Sequence, residues 1–320
     1  MTGMPEPNGP HPDPPPQGGR EIDRRGFLKC MAWTGTAVVW TVSGGVLSAC
    51  EIGGSSAPKT KDLSFVQISD THIGFRGPAN QDVTGTFQLA IDRINALKER
   101  PSFVMHTGDL SHLSTVPQFD TVKQMLGTIR TGKTFQVPGE HDQLAGNEGD
   151  YLALFGAGSI GRGWYSFDVN GVHFLALVNA SGTEAMGHLG PDQLDWIRKD
   201  VAGLASDTPI VVFAHVPLFA MYPAWGWSTD DAVQALSYMK RFGSVSVLNG
   251  HVHQLFTKTE GNVTFFSATT TAYPLPKPGD GPAPSPVTLP AGQLHAALGV
   301  REVGYVGGGQ RLAVKDRRLA

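Results

Sequence analysis

Cysteine is nearly absent. Only Cys30 and Cys50 occur in 320 residues, and both fall in the first fifty. A disulfide scaffold is therefore excluded for the body of the protein, and so is a cysteine-ligated zinc site. No charge of one sign dominates either: 25 Lys and Arg stand against 28 Asp and Glu, a net charge of −3. That balance provides no basic field for duplex nucleic acid. Apolar residues still make up 40% of the chain, enough to fill a core and to exclude wholesale disorder. The length fits one large domain or two small ones. Glycine (40) and proline (23) are plentiful, so loops are many, and eleven histidines stand out.

The first sixty residues read as an address. Residues 1–20 are rich in proline and glycine and cannot bury a core. Asp23-Arg24-Arg25-Gly26-Phe27-Leu28-Lys29 follows, then a moderately apolar run from Cys30 to Ala49. Paired arginines before a weakly hydrophobic segment resemble a twin-arginine export signal, here residues 1–49. The run ends in Leu47-Ser48-Ala49-Cys50, which resembles a lipoprotein processing box with Cys50 diacylated. An uncleaved membrane anchor is the alternative, because a span needs about 20 apolar residues. Thr34, Gly35, Thr36, Thr41, Ser43, Gly44, Gly45 and Ser48 make the run polar for that role. On either reading the body faces the outside of the cytoplasmic membrane or the periplasm, with the export machinery and the membrane as partners. Residues 50–61 read as a flexible tether. The twin-arginine route carries folded proteins, as the resemblance implies, which suggests a cofactor loaded before export.

Residues 62–320 read as one domain in which strand and helix alternate. Short apolar runs at Leu63–Ser69, Phe103–Thr107, Thr134–Val137, Ile210–Ala214 and Val245–Leu248 suit buried strands. Phe87, Ala90, Ile91, Ile94 and Leu97 recur at helical spacing before Pro101. Further helices are expected over 117–130, 191–203 and 229–242. Asn170-Gly171 marks a hairpin between Trp164–Val169 and Val172–Val178. A second hairpin is expected around Glu260-Gly261-Asn262, a proline-rich loop over 273–290, and a closing hairpin at the C-terminus. The alternation predicts a mixed α/β layered fold.

Five polar clusters each follow an apolar strand: Asp70-Thr71-His72, Gly108-Asp109, Gly139-Glu140-His141-Asp142, Ala214-His215 and Gly250-His251-Val252-His253. Ligand sites of open α/β sheets lie outside the carboxyl ends of strands. In an extended chain residues i and i+2 point the same way, so Asp70 with His72, and His251 with His253, are expected to face one region. Gly108, Gly139 and Gly250 permit close backbone approach. Carboxylates with imidazoles and no thiolate suit Mn, Fe, Zn or Ni. A shared carboxylate such as Asp109 could bridge two ions about 3.5–4 Å apart.

The ordered set D-x-H, G-D, G-x-H-D, H and G-H-x-H resembles the calcineurin-like metallophosphoesterase superfamily, over roughly residues 62–272. The resemblance implies an α/β fold, a four-layer α/β/β/α sandwich of two mixed sheets. It implies two divalent or mixed-valence ions of Mn, Fe or Zn. Asp70, His72, Asp109 and His253 would hold the first, with Asp109 shared. Glu140, His215 and His251 would complete the second. His141 would contact the phosphate and assist the leaving group, with Asp142 orienting it. A hydroxide held by the metals would attack phosphorus in line.

Two positions depart from the family. Glu140 stands where the pattern has Asn, adding a negative charge that should tighten metal binding and weaken the pull on phosphate. His112 stands where purple acid phosphatases place a metal-binding Tyr, so the cyclic-nucleotide phosphodiesterase-like branch is the nearer match. The expectation is an exported phosphoester hydrolase acting on small phosphodiesters. Phosphomonoester scavenging is the alternative, and a non-catalytic metal-containing binding protein is the rival from another class. His106 reads as a core or edge histidine, and His173 and His188 read as structural. Asn179 reads as a loop cap, and His112 as substrate contact or surface residue. Phe219, Tyr222, Trp225 and Trp227 either line the pocket or pack against the sandwich.

Overall fold

The computed structural model describes residues 38–43, 46–51, 62–181, 186–305 and 312–320. The chain divides into two compact units, Met1–Ala57 and Pro58–Ala320. In the first, Val38–Ser43 (β1) and Val46–Glu51 (β2) pair antiparallel, with Val38 opposite Glu51. Arg24 and Arg25 of the expected export signal, and residues 52–61 of the expected tether, lie outside the described residues. Among the described residues no helix is long and apolar enough to cross a membrane.

The second unit contains two mixed sheets. The first has the order β13-β12-β3-β4-β5, built from Ala313–Arg318 (β13), Gly299–Tyr305 (β12), Leu63–Ile68 (β3), Val104–His106 (β4) and Thr134–Gln136 (β5). β3, β4 and β5 run parallel, and β12 lies antiparallel to both β3 and β13. The second has the order β10-β11-β9-β8-β7-β6, from Phe256–Glu260 (β10), Val263–Ser267 (β11), Val245–Asn249 (β9), Ile210–Phe213 (β8), Val172–Ala176 (β7) and Tyr165–Val169 (β6). Its four central strands are parallel.

Strand periodicity divides the core into three layers of contact. Along β8, Ile210 and Val212 face one cluster while Val211 and Phe213 face another. Along β3, Phe65 joins Val211 and Phe213 between the sheets, while Val66 and Ile68 face outward. The inter-sheet layer is aromatic: Phe65 stacks on Phe103 at 4.7 Å, and Phe174 on Phe213 at 5.8 Å. Helices Val83–Asn95 (α1), Val116–Leu126 (α2) and Glu148–Phe155 (α3) cover the outer face of the first sheet. Pro191–Ala202 (α4) and Ala232–Tyr238 (α5) cover the second. The result is the α/β/β/α sandwich expected from the sequence.

The hairpins fall where the turn residues put them. Asn170 (φ 53°) and Gly171 (φ 83°) join Val169 to its partner Val172, two left-handed residues in a two-residue loop. Glu260 pairs with Val263 across Gly261-Asn262. Helix ends are shorter than periodicity suggested. The first helix closes at Asn95, well before Pro101, and the helix expected over 229–242 covers only Ala232–Tyr238. α3 has no counterpart in the sequence reading. Only Tyr151 is buried along it, so it carries too little apolar period to be seen.

Candidate metal centre

All five polar clusters meet at the carboxyl ends of the parallel strands. Asp70 and His72 follow β3, Asp109 follows β4, and Glu140–Asp142 forms a 3-10 turn after β5. His215 follows β8, and His251 and His253 follow β9. Asp70 and His72 share one donor group, as the i, i+2 expectation had it, but the backbone that presents the donors is not extended. Asp70 (φ 55°), His72 (φ 42°), Asp109 (φ 54°), His251 (φ 67°) and His253 (φ 54°) all occupy the left-handed region. Each such residue costs on the order of 1–3 kcal/mol and persists only where the surroundings enforce it. Close approach explains two glycines. A Cβ at Gly139 would collide with the Asp109 carboxylate, and one at Gly250 with Ser69 and Asp70.

Two donor groups converge. Asp70, His72 and His253 form one, and Glu140, His215 and His251 the other. Asp109 lies between them, its Oδ2 3.5 Å from His72 Nε2 and 3.4 Å from His215 Nε2. Its Oδ1 accepts the His141 N–H at 3.0 Å, which fixes the carboxylate plane. Glu140 bridges the second group, Oε2 at 2.9 Å from His215 Nε2 and Oε1 at 2.9 Å from His251 Nδ1.

Backbone carbonyls set the histidine tautomers. His253 Nδ1 donates to the Tyr273 carbonyl at 2.6 Å and His215 Nδ1 to the Thr107 carbonyl at 2.7 Å. Each Nε2 lone pair is thereby aimed into the centre, the outer-shell device that positions metal-binding imidazoles. His141 Nδ1 donates to the His112 carbonyl at 2.8 Å, leaving Nε2 toward the cavity. Asp142, expected to orient that ring, instead accepts from the N–H groups of Leu110, Ser111 and Gly139 and from Ser111 Oγ. It braces the loop that carries Asp109.

Electrostatics match a cation site. Burial pushes the Asp70 carboxyl up, but His253 and His215 outweigh it and hold the pKa below the ordinary value. Burial likewise opposes ionisation of Glu140, and His251 and His215 hold it well below the carboxylate range. Burial and the neighbouring His141 and His253 keep His72 neutral, well below the usual imidazole value, with its lone pair available. Asp70 Oδ2 and His251 Nε2 are buried without a hydrogen-bond partner, and Glu140 is met only by the two imidazoles of its own donor group. Buried polar atoms left unpaired are costly. Hard oxygen donors with imidazole nitrogens, arranged this way, fit two transition-metal ions.

The histidines read as structural stay so. His106 is fully buried, bonded to Thr71 Oγ1 and the Gly108 N–H, and burial lowers its pKa to about 3. His173 is clamped between Asp168 and Asp200, and His188 pairs with Asp230. Asn179 does more than cap a loop. Its Oδ1 accepts from the N–H groups of His215 and Val216, and its Nδ2 donates to Val216 O and Thr229 Oγ1. It holds the turn that presents His215; its position just after a strand was the only sequence signal.

A cavity of about 240 Å³ opens over the centre. His112 lines it, stacked on His141 with ring centroids 4.8 Å apart. Of the four loop aromatics only Trp227 lines it, while Phe219 packs on Phe256 and Phe265. Tyr273 was missed by the sequence reading: its ring stacks on His72 at 4.9 Å. Leu275, Pro284 and Pro286 complete that side, so part of the proline-rich loop belongs to the site.

Two mixed sheets with this donor set at their edge define a metal-dependent phosphoester hydrolase. The chain belongs to the calcineurin-like phosphoesterase family, which residues 63–255 match; it is a family of two-metal enzymes. It is 25% identical over 218 residues to a 3′,5′-cyclic-nucleotide phosphodiesterase of Nostoc sp., covering 66% of this chain and 79% of that one. It is 25% identical over 255 residues to a glycerophosphodiester phosphodiesterase of Enterobacter lignolyticus, covering 76% and 90%. A dimetal phosphatase from Danio rerio shares the fold, with a TM-score of 0.59 at 14% identity over 81% of this chain and 96% of that one.

Proposed function

We propose that the protein is an exported, membrane-tethered phosphodiesterase. Asp70, His72, His253 and the shared Asp109 would hold one metal ion, and Asp109, Glu140, His215 and His251 the other. When bound, such ions supply Lewis-acid polarisation of phosphoryl oxygens and water acidic enough to attack near neutral pH. Burial opposes protonation of His141, but Asp109 and Glu140 outweigh it and raise its pKa; as the imidazolium, with Nδ1 donating to the His112 carbonyl, the ring donates from Nε2 to a phosphoryl or leaving-group oxygen.

The observation that carries the diester preference is Glu140 seated between His215 and His251. Three carboxylates then face two ions, which leaves one net positive charge if both are divalent. Among the described residues lining the cavity none is Lys or Arg. A phosphodiester brings one negative charge, whereas a monoester approaches two at neutral pH because its second pKa is about 6. The centre balances the former better. The names of the two relatives above, both diesterases, agree with this reading.

The test is hydrolysis by the full chain loaded with Mn, Fe or Zn, comparing bis-p-nitrophenyl phosphate with p-nitrophenyl phosphate. Diester cleavage well above an Asp109→Asn control is expected. Monoester cleavage alone would make the protein a monoesterase. No cleavage of either with two metals bound would make it a binding protein. Export rests on Arg24-Arg25 and on Leu47-Ser48-Ala49-Cys50. Cys50→Ala is expected to move the protein from the membrane to the soluble exported fraction, and an unchanged distribution would remove the lipid tether.

A further inference from the structure

The cavity over the metal centre has two unlike walls. One is imidazole and carboxylate. The other is formed by Trp227, Tyr273, Leu275, Pro284 and Pro286. We propose that this second wall is a subsite for an aromatic substituent of the phosphodiester. The inference rests on the diesterase reading and goes further by naming the group the ester must carry.

The chemistry of the wall selects the occupant. Leu275, Pro284 and Pro286 carry no hydrogen-bonding side chain, and Trp227 and Tyr273 offer one polar atom each. A substituent rich in hydroxyls would be desolvated against them with its donors unpaired, at a cost per group that an aromatic ring does not incur. The lining also holds no Lys or Arg among the described residues, so a substituent with a second phosphate finds no partner. The cavity, about 240 Å³, lies below the usual range for drug-sized ligands, roughly 300–1,000 Å³. It suits a phosphate and a compact ring, not a long acyl chain.

The wall is held in place before any ligand arrives. The Tyr273 carbonyl accepts from His253 Nδ1, which ties the start of the strap to the metal centre. Gln254 Nε2 donates to the carbonyls of Leu275 (3.3 Å) and Pro276 (2.5 Å). The Val287 N–H donates to the Pro274 carbonyl at 2.9 Å and closes the strap on itself. Pro274, Pro276, Pro278, Pro282, Pro284 and Pro286 stiffen it. On the other side Trp227 pairs with Tyr222 through the backbone, and Thr229 is bonded to Asn179. A fixed apolar surface loses little entropy on binding a rigid ring.

The test uses two diesters with one leaving group, phenyl p-nitrophenyl phosphate and ethyl p-nitrophenyl phosphate, so that only the retained substituent differs. With the metal-loaded full chain we expect kcat/KM to favour the phenyl compound by about tenfold or more, the scale of one apolar pocket contact. Leu275→Ala and Pro284→Gly, the latter in a half-buried strap outside the core, should each lower that ratio several-fold, with thermal melting confirming that they fold. Equal kcat/KM for both diesters, or an unchanged ratio in both variants, overturns the subsite. If neither diester is cleaved, the diesterase reading fails, and calorimetric binding of phenylphosphonate against ethylphosphonate decides the subsite alone. Tighter phenylphosphonate binding that is lost in Leu275→Ala supports it, and equal binding overturns it.

Discussion

Glu140 is the residue on which the proposed diester preference turns. Replacing it with Asn keeps an oxygen donor and removes one negative charge between His215 and His251. At a few ångströms and an intermediate effective dielectric, one charge is worth on the order of 1–4 kcal/mol. We expect Glu140→Asn to raise monoester over diester turnover by about tenfold; parallel kcat/KM values on the two p-nitrophenyl esters check this, and an unchanged ratio would detach Glu140 from substrate charge. Asn179 acts at the same scale through the backbone. Asn179→Ala leaves the buried N–H groups of His215 and Val216 without their acceptor. A loss of about 1–3 kcal/mol is expected, read as a lower urea midpoint with an unchanged slope. The candidate donors themselves were legible in the sequence, because D-x-H, G-D and G-H-x-H are short patterns of rare donors. Tyr273 and Asn179 were not, since neither belongs to a local pattern and each acts through residues far away in the chain.

At the scale of elements, the strands were readable and their ends were not. Apolar runs located β3, β4, β8 and β9 because both faces of these strands are buried, as the three contact clusters show. The left-handed turns at Asp70, His72, Asp109, His251 and His253 carry only a weak signature in residue type: Asp and His are enriched among non-glycine residues at positive φ, but such residues are uncommon. α4 is joined to the β6–β7 hairpin by His173, whose Nδ1 lies 2.9 Å from Asp168 and Nε2 2.7 Å from Asp200. Burial opposes protonation of His173, but these two carboxylates outweigh it and raise the pKa above the ordinary imidazole value. The contribution to stability is therefore fully present below the unfolded value, about 6.5, and is lost as pH rises through the raised folded value. Thermal melts of wild type and His173→Gln should differ more at pH 5.5 than at pH 8.5; a difference that grows with pH would reverse the assignment.

At the scale of the whole molecule, the centre joins two sheets that meet face to face. Asp70, His72, Asp109 and Glu140 come from the first sheet, and His215, His251 and His253 from the second. Ions held between them would bind the folded state and not the unfolded chain. At a free ion concentration of a hundred times Kd each ion stabilises by about 2.7 kcal/mol, or roughly 5–10 °C per ion for a domain of this size. Chelation should lower the melting temperature of the loaded protein by at least that one-ion amount, and restoring Mn or Zn should recover it. An unchanged melting temperature, with metal loss verified by elemental analysis, would separate metal binding from the sandwich.

The sequence by itself determined the candidate donor set, the alternation of strand and helix, the hairpin at Asn170-Gly171 and the order of the clusters. All of these are written in residue type and spacing within short windows. Only the tertiary structure decided how Asp109 stands between two donor groups, which carbonyl fixes each imidazole, and that a proline-rich loop forms one wall of the site. Those depend on contacts such as His253 with Tyr273 and His215 with Thr107, 20 and 108 residues apart. Packing of the two sheets creates them, and no local pattern encodes that distance.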